Sequence, residues 1–188
     1  MSGGARVLAV DDRPENLVAL EAILQGLPVE IATVTSGDEA LKRLLLEDYA
    51  VILLDAQMPG MDGFETASHI KQRERTSHIP IVFLTAANYD PHLAFRGYQL
   101  GAVDYLTKPF DPWVLRSKVQ VFIDLWKLNA ELAARAEGSA ALEKAVTETL
   151  DLLSGEDSPA ELVAQAKTRL AAVLPYLAHP GRASRYRG

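Results

Sequence analysis

Five residues in this chain are of the types that handle a phosphoryl group: the adjacent pair Asp11 and Asp12, then Asp55, Thr85 and Lys108. A carboxylate such as Asp55 is a nucleophile once it is placed and shielded. Three carboxylates in one pocket repel each other unless a cation joins them. A hard divalent ion bound by carboxylates, a carbonyl and waters meets that need, and beside phosphates the usual choice is Mg2+. Lys108 would add a second positive charge and Thr85 a hydroxyl donor, so catalysis would be mostly positioning and neutralisation of charge on the transferred oxygens. The set therefore points to phosphoryl transfer onto Asp55, provided that the fold brings the five together.

The elements that must do so are legible one by one. Val51-Ile52-Leu53-Leu54 is an apolar run of the kind a strand covered on both faces shows. Asp55 ends it, and Gln57-Met58-Pro59-Gly60-Met61-Asp62-Gly63 then turns the chain. On this segment alone, an Asp that merely starts a turn is an equal reading. The other strand ends decide between the two. Arg6–Val10 predicts a first strand ending at Asp11-Asp12, followed by a helix opened by Pro14 and Glu15, striped by Leu17, Leu20, Ile23 and Leu24, and stopped at Gly26. Val29–Val34 predicts a second strand. Ser36 and Glu39 have the spacing of a capping box before a helix lined by Ala40, Leu41, Leu44 and Leu45. Tyr49–Leu54 is the expected third strand.

A third helix is expected from Asp62-Gly63-Phe64, with Ile70 inward, dissolving into the charged stretch Lys71–His78. Pro80 opens a fourth strand, Ile81–Leu84, ending at Thr85, Ala86 and Ala87. Asp90-Pro91 caps a fourth helix, ended by Gly101. Val103–Leu106 is the fifth strand, followed by Thr107-Lys108-Pro109-Phe110, and Asp111-Pro112 caps a fifth helix. Alternating strands and helices predict an α/β fold, a doubly wound five-stranded parallel sheet with five helices and right-handed connections. Its strand ends open onto one ligand crevice.

Bulk properties fit that class. The 188 residues are 48% hydrophobic and 23% charged, as in ordinary globular proteins. With no cysteine, disulfides and thiolate metal sites are excluded, and a reducing, cytoplasmic location is expected. No apolar run approaches the ~20 residues of a spanning helix, and the N-terminus does not read as a signal peptide, so membrane insertion is not expected. A net charge of −6 argues against direct nucleic-acid binding. The basic end, Arg182 to Arg187, reads as a frayed terminus.

Asp11-Asp12, Asp55 with Met58-Pro59-Gly60-Met61-Asp62-Gly63, Thr85-Ala86 and Lys108-Pro109-Phe110 together resemble the receiver domain of bacterial two-component response regulators, over roughly residues 6–124. The resemblance implies a flavodoxin-like doubly wound sheet of order 2-1-3-4-5 and Asp55 as the phospho-acceptor. It implies Mg2+ (or Mn2+) held by Asp12 directly, Asp11 through water, Asp55 and the Gln57 backbone carbonyl. It also implies that Thr85 and Lys108 hold the phosphoryl oxygens, and that the Lys108–Pro109 peptide is cis. The phosphoryl group adds about 1.5 to 2 negative charges. Thr85 would be drawn to it and Tyr105 would turn inward behind, unless Tyr105 is a strand residue that only packs. The implied output surface is the fourth helix, fifth strand and fifth helix.

Two families with related sites fit less well. A flavodoxin-like flavin carrier needs a phosphate cradle after the first strand, where Asp11-Asp12 would repel phosphate. A haloacid-dehalogenase-type phosphatase carries a second Asp two residues after its nucleophile, where this chain has Gln57. His69, His78, His92 and His179 show no ligand spacing and read as surface residues.

The chain divides as a receiver over 1–124, a helical, coiled-coil-like extension over 125–178 continuing the fifth helix, and a flexible basic tail over 179–188. Nothing breaks the fifth helix between Pro112 and Glu137. Leu115, Val119, Phe122 and Trp126 form one stripe, suited to the sheet. Val121, Leu125, Leu128 and Leu132 form a second with 4-3-4 spacing, a seam for a partner helix unless the helix packs only within its own chain. Gly138 is expected to break the rod. Leu142, Val146, Leu150 and Leu153 then stripe a further segment up to the turn Ser154–Asp157, and Ser158-Pro159-Ala160-Glu161 opens a last helix along Leu162 or Val163, Ala166, Leu170, Val173 or Leu174, and Leu177, which Pro175 kinks or ends. Neither a DNA-binding motif nor a catalytic cluster stands in the tail.

The expected function is a response regulator, not an enzyme beyond its own phosphorylation and autodephosphorylation. A sensor histidine kinase supplies the phosphoryl group, and output runs through a protein effector and homodimerisation. The alternative is a phosphorelay intermediate that passes phosphate to a histidine phosphotransfer protein.

Overall fold

The computed structural model describes residues 4–86 and 104–153, together with Thr168 and Ala171. Five strands, β1 (Ala5–Val10), β2 (Val29–Val34), β3 (Val51–Asp55), β4 (Ile81–Ala86) and β5 (Asp104–Lys108), form one parallel sheet in the order β2-β1-β3-β4-β5. The described helices are α1 (Pro14–Leu24), α2 (Gly37–Leu46), α3 (Gly63–Gln72), the single turn α4 (Glu74–Ser77) and α5 (Pro112–Leu153). The doubly wound architecture is as expected. The helix anticipated between Asp90 and Gly101 lies outside the described residues, as do the turn at Ser154–Asp157, the basic tail and, but for Thr168 and Ala171, the helix anticipated from Ser158.

Every residue of β3 is buried, because alternate side chains of a central strand enter opposite cores. Ile52 and Leu54 join Leu8, Val10 and Phe83 under Leu44 of α2 and Phe64 and Ile70 of α3. Val51 and Leu53 join Val7, Ala9, Val82 and Leu84 under Leu17, Leu20 and Leu24 of α1 and Leu115, Val119 and Ile123 of α5. Arg116 ties α5 to the end of α1: its Nη1 donates to the carbonyls of Ile23 and Gln25, each at 2.6 Å. Those are carbonyls that a helix end leaves without intrahelical partners. Gly26 then takes a positive φ of 85°, which favours glycine.

Several helix starts follow from side-chain caps. Ser36 Oγ accepts from the Glu39 N–H at 3.3 Å, and the Glu39 carboxylate reaches back to the Thr35 N–H at 3.0 Å, one residue before the cap. Asp62 accepts from the Glu65 N–H at 2.8 Å, and Asp111 from the Trp113 N–H at 2.7 Å. Each satisfies an amide that the first helical turn leaves open.

The structure corrects some expected boundaries. β3 starts at Val51 instead of Tyr49 and includes Asp55, which pairs with Leu84; β5 runs on to Lys108, which pairs with Ala86. The ladder extends both strands into their functional ends. Lys71–His78 does not dissolve: α4 forms there, with Lys71 Nζ donating to the carbonyls of Ser77 and Ile79 at 2.8 Å and Thr76 Oγ1 to that of Ile70 at 2.7 Å. Leu45 faces solvent, since Gly37, Ala40 and Leu44 already fill the buried line of α2. On α5, Ile123 completes the line of Leu115 and Val119, with Phe122 and Trp126 partly buried beside it.

Gly138 does not end α5, which is continuous to Leu153. One glycine costs a helix interior about 1 kcal/mol, too little to interrupt a run of Ala, Leu, Glu and Lys on both sides. The described residues divide into two compact units, one from Gly4 to Trp126 and a second that begins at Lys127. Among the described residues, no helix is long and apolar enough to cross a membrane.

Candidate functional site

The sheet order puts β1, β3, β4 and β5 side by side, so their carboxyl ends deliver side chains to one place. Asp11 follows β1 and is fully buried; Asp12 beside it is partly buried. Asp55 ends β3 and is buried. One carboxylate oxygen from each of the three lies within 4.8 Å of the others. Lys108, the last residue of β5, places its Nζ 2.6 Å from Asp11 Oδ2 and 3.2 Å from Asp55 Oδ1.

Asp11 is held on its other oxygen as well. Its Oδ1 accepts from the Arg13 N–H at 3.0 Å and from Asn16 Nδ2 at 2.9 Å. Asn16 was not among the residues that the sequence singled out. It stands in the first turn of α1, and only the return of that turn over the end of β1 gives it this role. The Arg13 guanidinium is engaged by Glu15 at 2.7 Å. One ammonium thus faces three clustered carboxylates, a donor set and charge imbalance that suit a hard divalent cation.

Burial raises the pKa of Asp55, Lys108 opposes that by its charge, and the charge of Asp11 reinforces it; hydrogen bonds from Lys108 and from the Gln57 backbone also favour the ionised form. The Gln57 side chain is exposed. Just past it, Gly60 has a φ of 77°, and Gly63 starts α3 directly against the site. A Cβ on Gly63 would sit 2.1 Å from the Asp55 carbonyl oxygen and 2.8 Å from Ala56 Cα, so only glycine fits this approach. The Gly63 N–H donates to the Ala56 carbonyl at 3.1 Å.

Thr85 lies on β4 one residue beyond Leu84, the ladder partner of Asp55. It is buried, and its Oγ1 has no hydrogen-bond partner among the described residues. Such a hydroxyl costs stability, and a ligand acceptor would satisfy it. Tyr105 on β5 is partly buried and stacks on Phe83 at 5.4 Å, and Phe83 stacks on Phe64 of α3 at 4.8 Å. The Lys108–Pro109 peptide bond is cis. Val121, Leu125, Leu128 and Leu132 form an exposed line on α5 and take no part in this cluster. His69 is half-buried and His78 exposed, and neither joins the carboxylates; His92 and His179 lie outside the described residues.

Known proteins share this arrangement. The family model of the response regulator receiver domain matches residues 7–120. The chain is 40% identical over 116 residues to the response regulator PleD of Caulobacter vibrioides, covering 62% of this chain and 25% of that protein. It is 40% identical over 114 residues to the sensor histidine kinase GacS of Pseudomonas protegens, covering 57% of this chain and 12% of the kinase. The chain spans about a quarter of the length of the first curated relatives it matches. Among solved structures, the Vibrio cholerae chemotaxis protein CheY4 superposes with a TM-score of 0.59 at 32% identity, over 64% of this chain and 99% of that one. A CheY-like receiver domain protein from Methanospirillum hungatei gives 0.57 at 36% identity, over 64% and 95%. With the strand order, the clustered carboxylates and this match over more than half its length, the chain belongs to the family of response regulator receiver domains.

Proposed function

We propose that Asp55 accepts a phosphoryl group from a sensor histidine kinase and that the chain signals its state through protein contacts made by α5 and the segments after it. The observation that carries this reading is the gathering of Asp11, Asp12 and Asp55 within 4.8 Å with Lys108 between two of them. An Asp55 oxygen bonds to phosphorus as the bond to the donor's histidine nitrogen breaks, and its electron pair returns to the imidazole. Lys108 exchanges a carboxylate for a phosphoryl oxygen, and the free hydroxyl of Thr85 donates to another. Asp11, Asp12, Asp55 and the Gln57 carbonyl would hold Mg2+, or Mn2+ in its place, which when bound supplies positive charge against the phosphoryl oxygens.

Tyr105 is the candidate switch residue, because its ring already packs on Phe83, two residues before Thr85 on the same strand. The receiver is assigned to 1–124 and the helical extension to 125–178, with dimerisation along Val121, Leu125, Leu128 and Leu132. A kinase-linked receiver without cysteine belongs in the cytoplasm.

The test is labelling by acetyl phosphate. Mg2+-dependent incorporation is expected for the parent chain and none for Asp55→Asn; retained labelling would move the acceptor elsewhere. Rapid return of phosphate to a histidine-containing protein, with no change in assembly, would identify a relay intermediate instead.

A further inference from the structure

The exposed stripe of α5 carries, in its flanks, the orientation of its partner. That orientation presupposes the dimer contact proposed above for α5. Val121, Leu125, Leu128 and Leu132 are 56%, 50%, 51% and 52% exposed, while Leu115, Val119 and Ile123 on the same helix are fully buried against the sheet. Their spacing fits two consecutive heptad pairs, with Val121 and Leu128 at d and Leu125 and Leu132 at a. Lys118 and Arg135 occupy the next core positions at either end and bound the stripe. Lys118 is already paired with Asp104. Sliding one copy by a heptad would leave two apolar layers uncovered and set Arg135 against Leu128, so a self-pairing must be in register.

Charge then selects the direction. One edge of the stripe, the g positions, carries Asp124 and Glu131; the other, the e positions, carries Phe122, Asn129 and Ala136. Antiparallel copies bring g edges together, setting Asp124 against Glu131 of the second copy, twice by symmetry. Parallel copies set each g residue against an e residue, so that Asp124 faces Asn129 and Glu131 faces Ala136. Like charges across a seam are what specific pairings avoid. We propose that α5 pairs with α5 of a second copy, parallel and in register over Val121–Leu132, with both Asp55 sites at the same end of the pair.

The chain has no cysteine, so single replacements report pairing cleanly. Val121 and Leu132 are about 16 Å apart along the helix, beyond the Cα separation of about 7 Å that a disulfide tolerates. Val121→Cys and Leu132→Cys, each alone in the full chain, are oxidised with and without acetyl phosphate and Mg2+. Both are half-exposed positions, and solution mass under reducing conditions checks that each variant assembles like the parent. The expected result is a disulfide-linked dimer from each variant by itself. Cross-linking only when the two are mixed would mean antiparallel pairing, overturning the inference while leaving the dimer. A dimeric mass with neither cross-link would place the dimer on another face and overturn it too. A monomeric mass with and without the phosphodonor would remove the dimer reading, and this inference with it.

Discussion

Lys108 Nζ lies 2.6 Å from the fully buried Oδ2 of Asp11, joining the end of β5 to the end of β1 across the two strands between them. Lys108→Ala would leave Asp11 and Asp55 facing each other without a cation. The expected loss is about 1–3 kcal/mol, below the about 3–5 kcal/mol of a fully buried broken pair because the lysine is partly exposed and Asp11 keeps two other donors. Urea unfolding in EDTA measures it, and saturating Mg2+ should recover most of the difference. A variant and a parent that both unfold at the same urea concentration with and without Mg2+ would show that the carboxylates do not bind that ion.

Burial raises the Asp55 pKa, with Lys108 opposing and Asp11 adding to the rise. Such a carboxyl holds its proton more tightly in the folded chain than in the unfolded one. The stability it contributes is therefore fully present below the ordinary aspartate value of 3.8 and is lost as pH rises through the higher folded pKa. Asp55→Asn, which does not ionise, should have a higher thermal midpoint than the parent at neutral pH in EDTA, and the advantage should vanish in acid. A difference that is constant across pH would trace to side-chain shape instead of charge.

Thr85→Val keeps the volume of a buried side chain and removes a hydroxyl that has no partner. The variant is expected to gain about 1 kcal/mol, since an unsatisfied buried group is the costly case. Its labelling by acetyl phosphate should fall at the same time, because the lost hydroxyl is the proposed phosphoryl donor. Stability and labelling changing in the same direction would contradict this division of roles.

Gly63→Ala would drive a methyl group to 2.1 Å from the Asp55 carbonyl oxygen. Backbone cannot yield as a flexible side chain would, so a loss of about 1–3 kcal/mol is expected, with slower labelling as Asp55 moves. Unchanged labelling in a destabilised variant would confine the glycine to packing.

The strands and the cluster of Asp11, Asp12, Asp55 and Lys108 were readable in the sequence because a central parallel strand needs an unbroken apolar run with polar residues beside its carboxyl end; the order of the sheet followed from the family resemblance. Where each strand ends was not readable: Asp55 and Lys108 belong to their strands because Leu84 and Ala86 pair with them. Asn16 left no signal, as its bond to Asp11 exists only once α1 has folded back. The two stripes of α5 followed from spacing, but Ile123, lying between them in sequence, is drawn inward by the line of Leu115 and Val119. Gly138 misled because helix continuity is a property of the whole run and local propensity is only one contribution to it.

Both tryptophans of the chain sit on α5, Trp113 in its first turn and 77% exposed, Trp126 partly buried against the core. Tryptophan emission from this protein, selected by excitation at the red edge, therefore arises from one helix, at the two ends of the stretch that lies on the sheet. Iodide in the solvent would darken Trp113 first and leave the bluer light of Trp126. The molecule so carries an unlabelled optical gauge of α5, in which a change at the sheet and a change at the site-facing turn have separate colours.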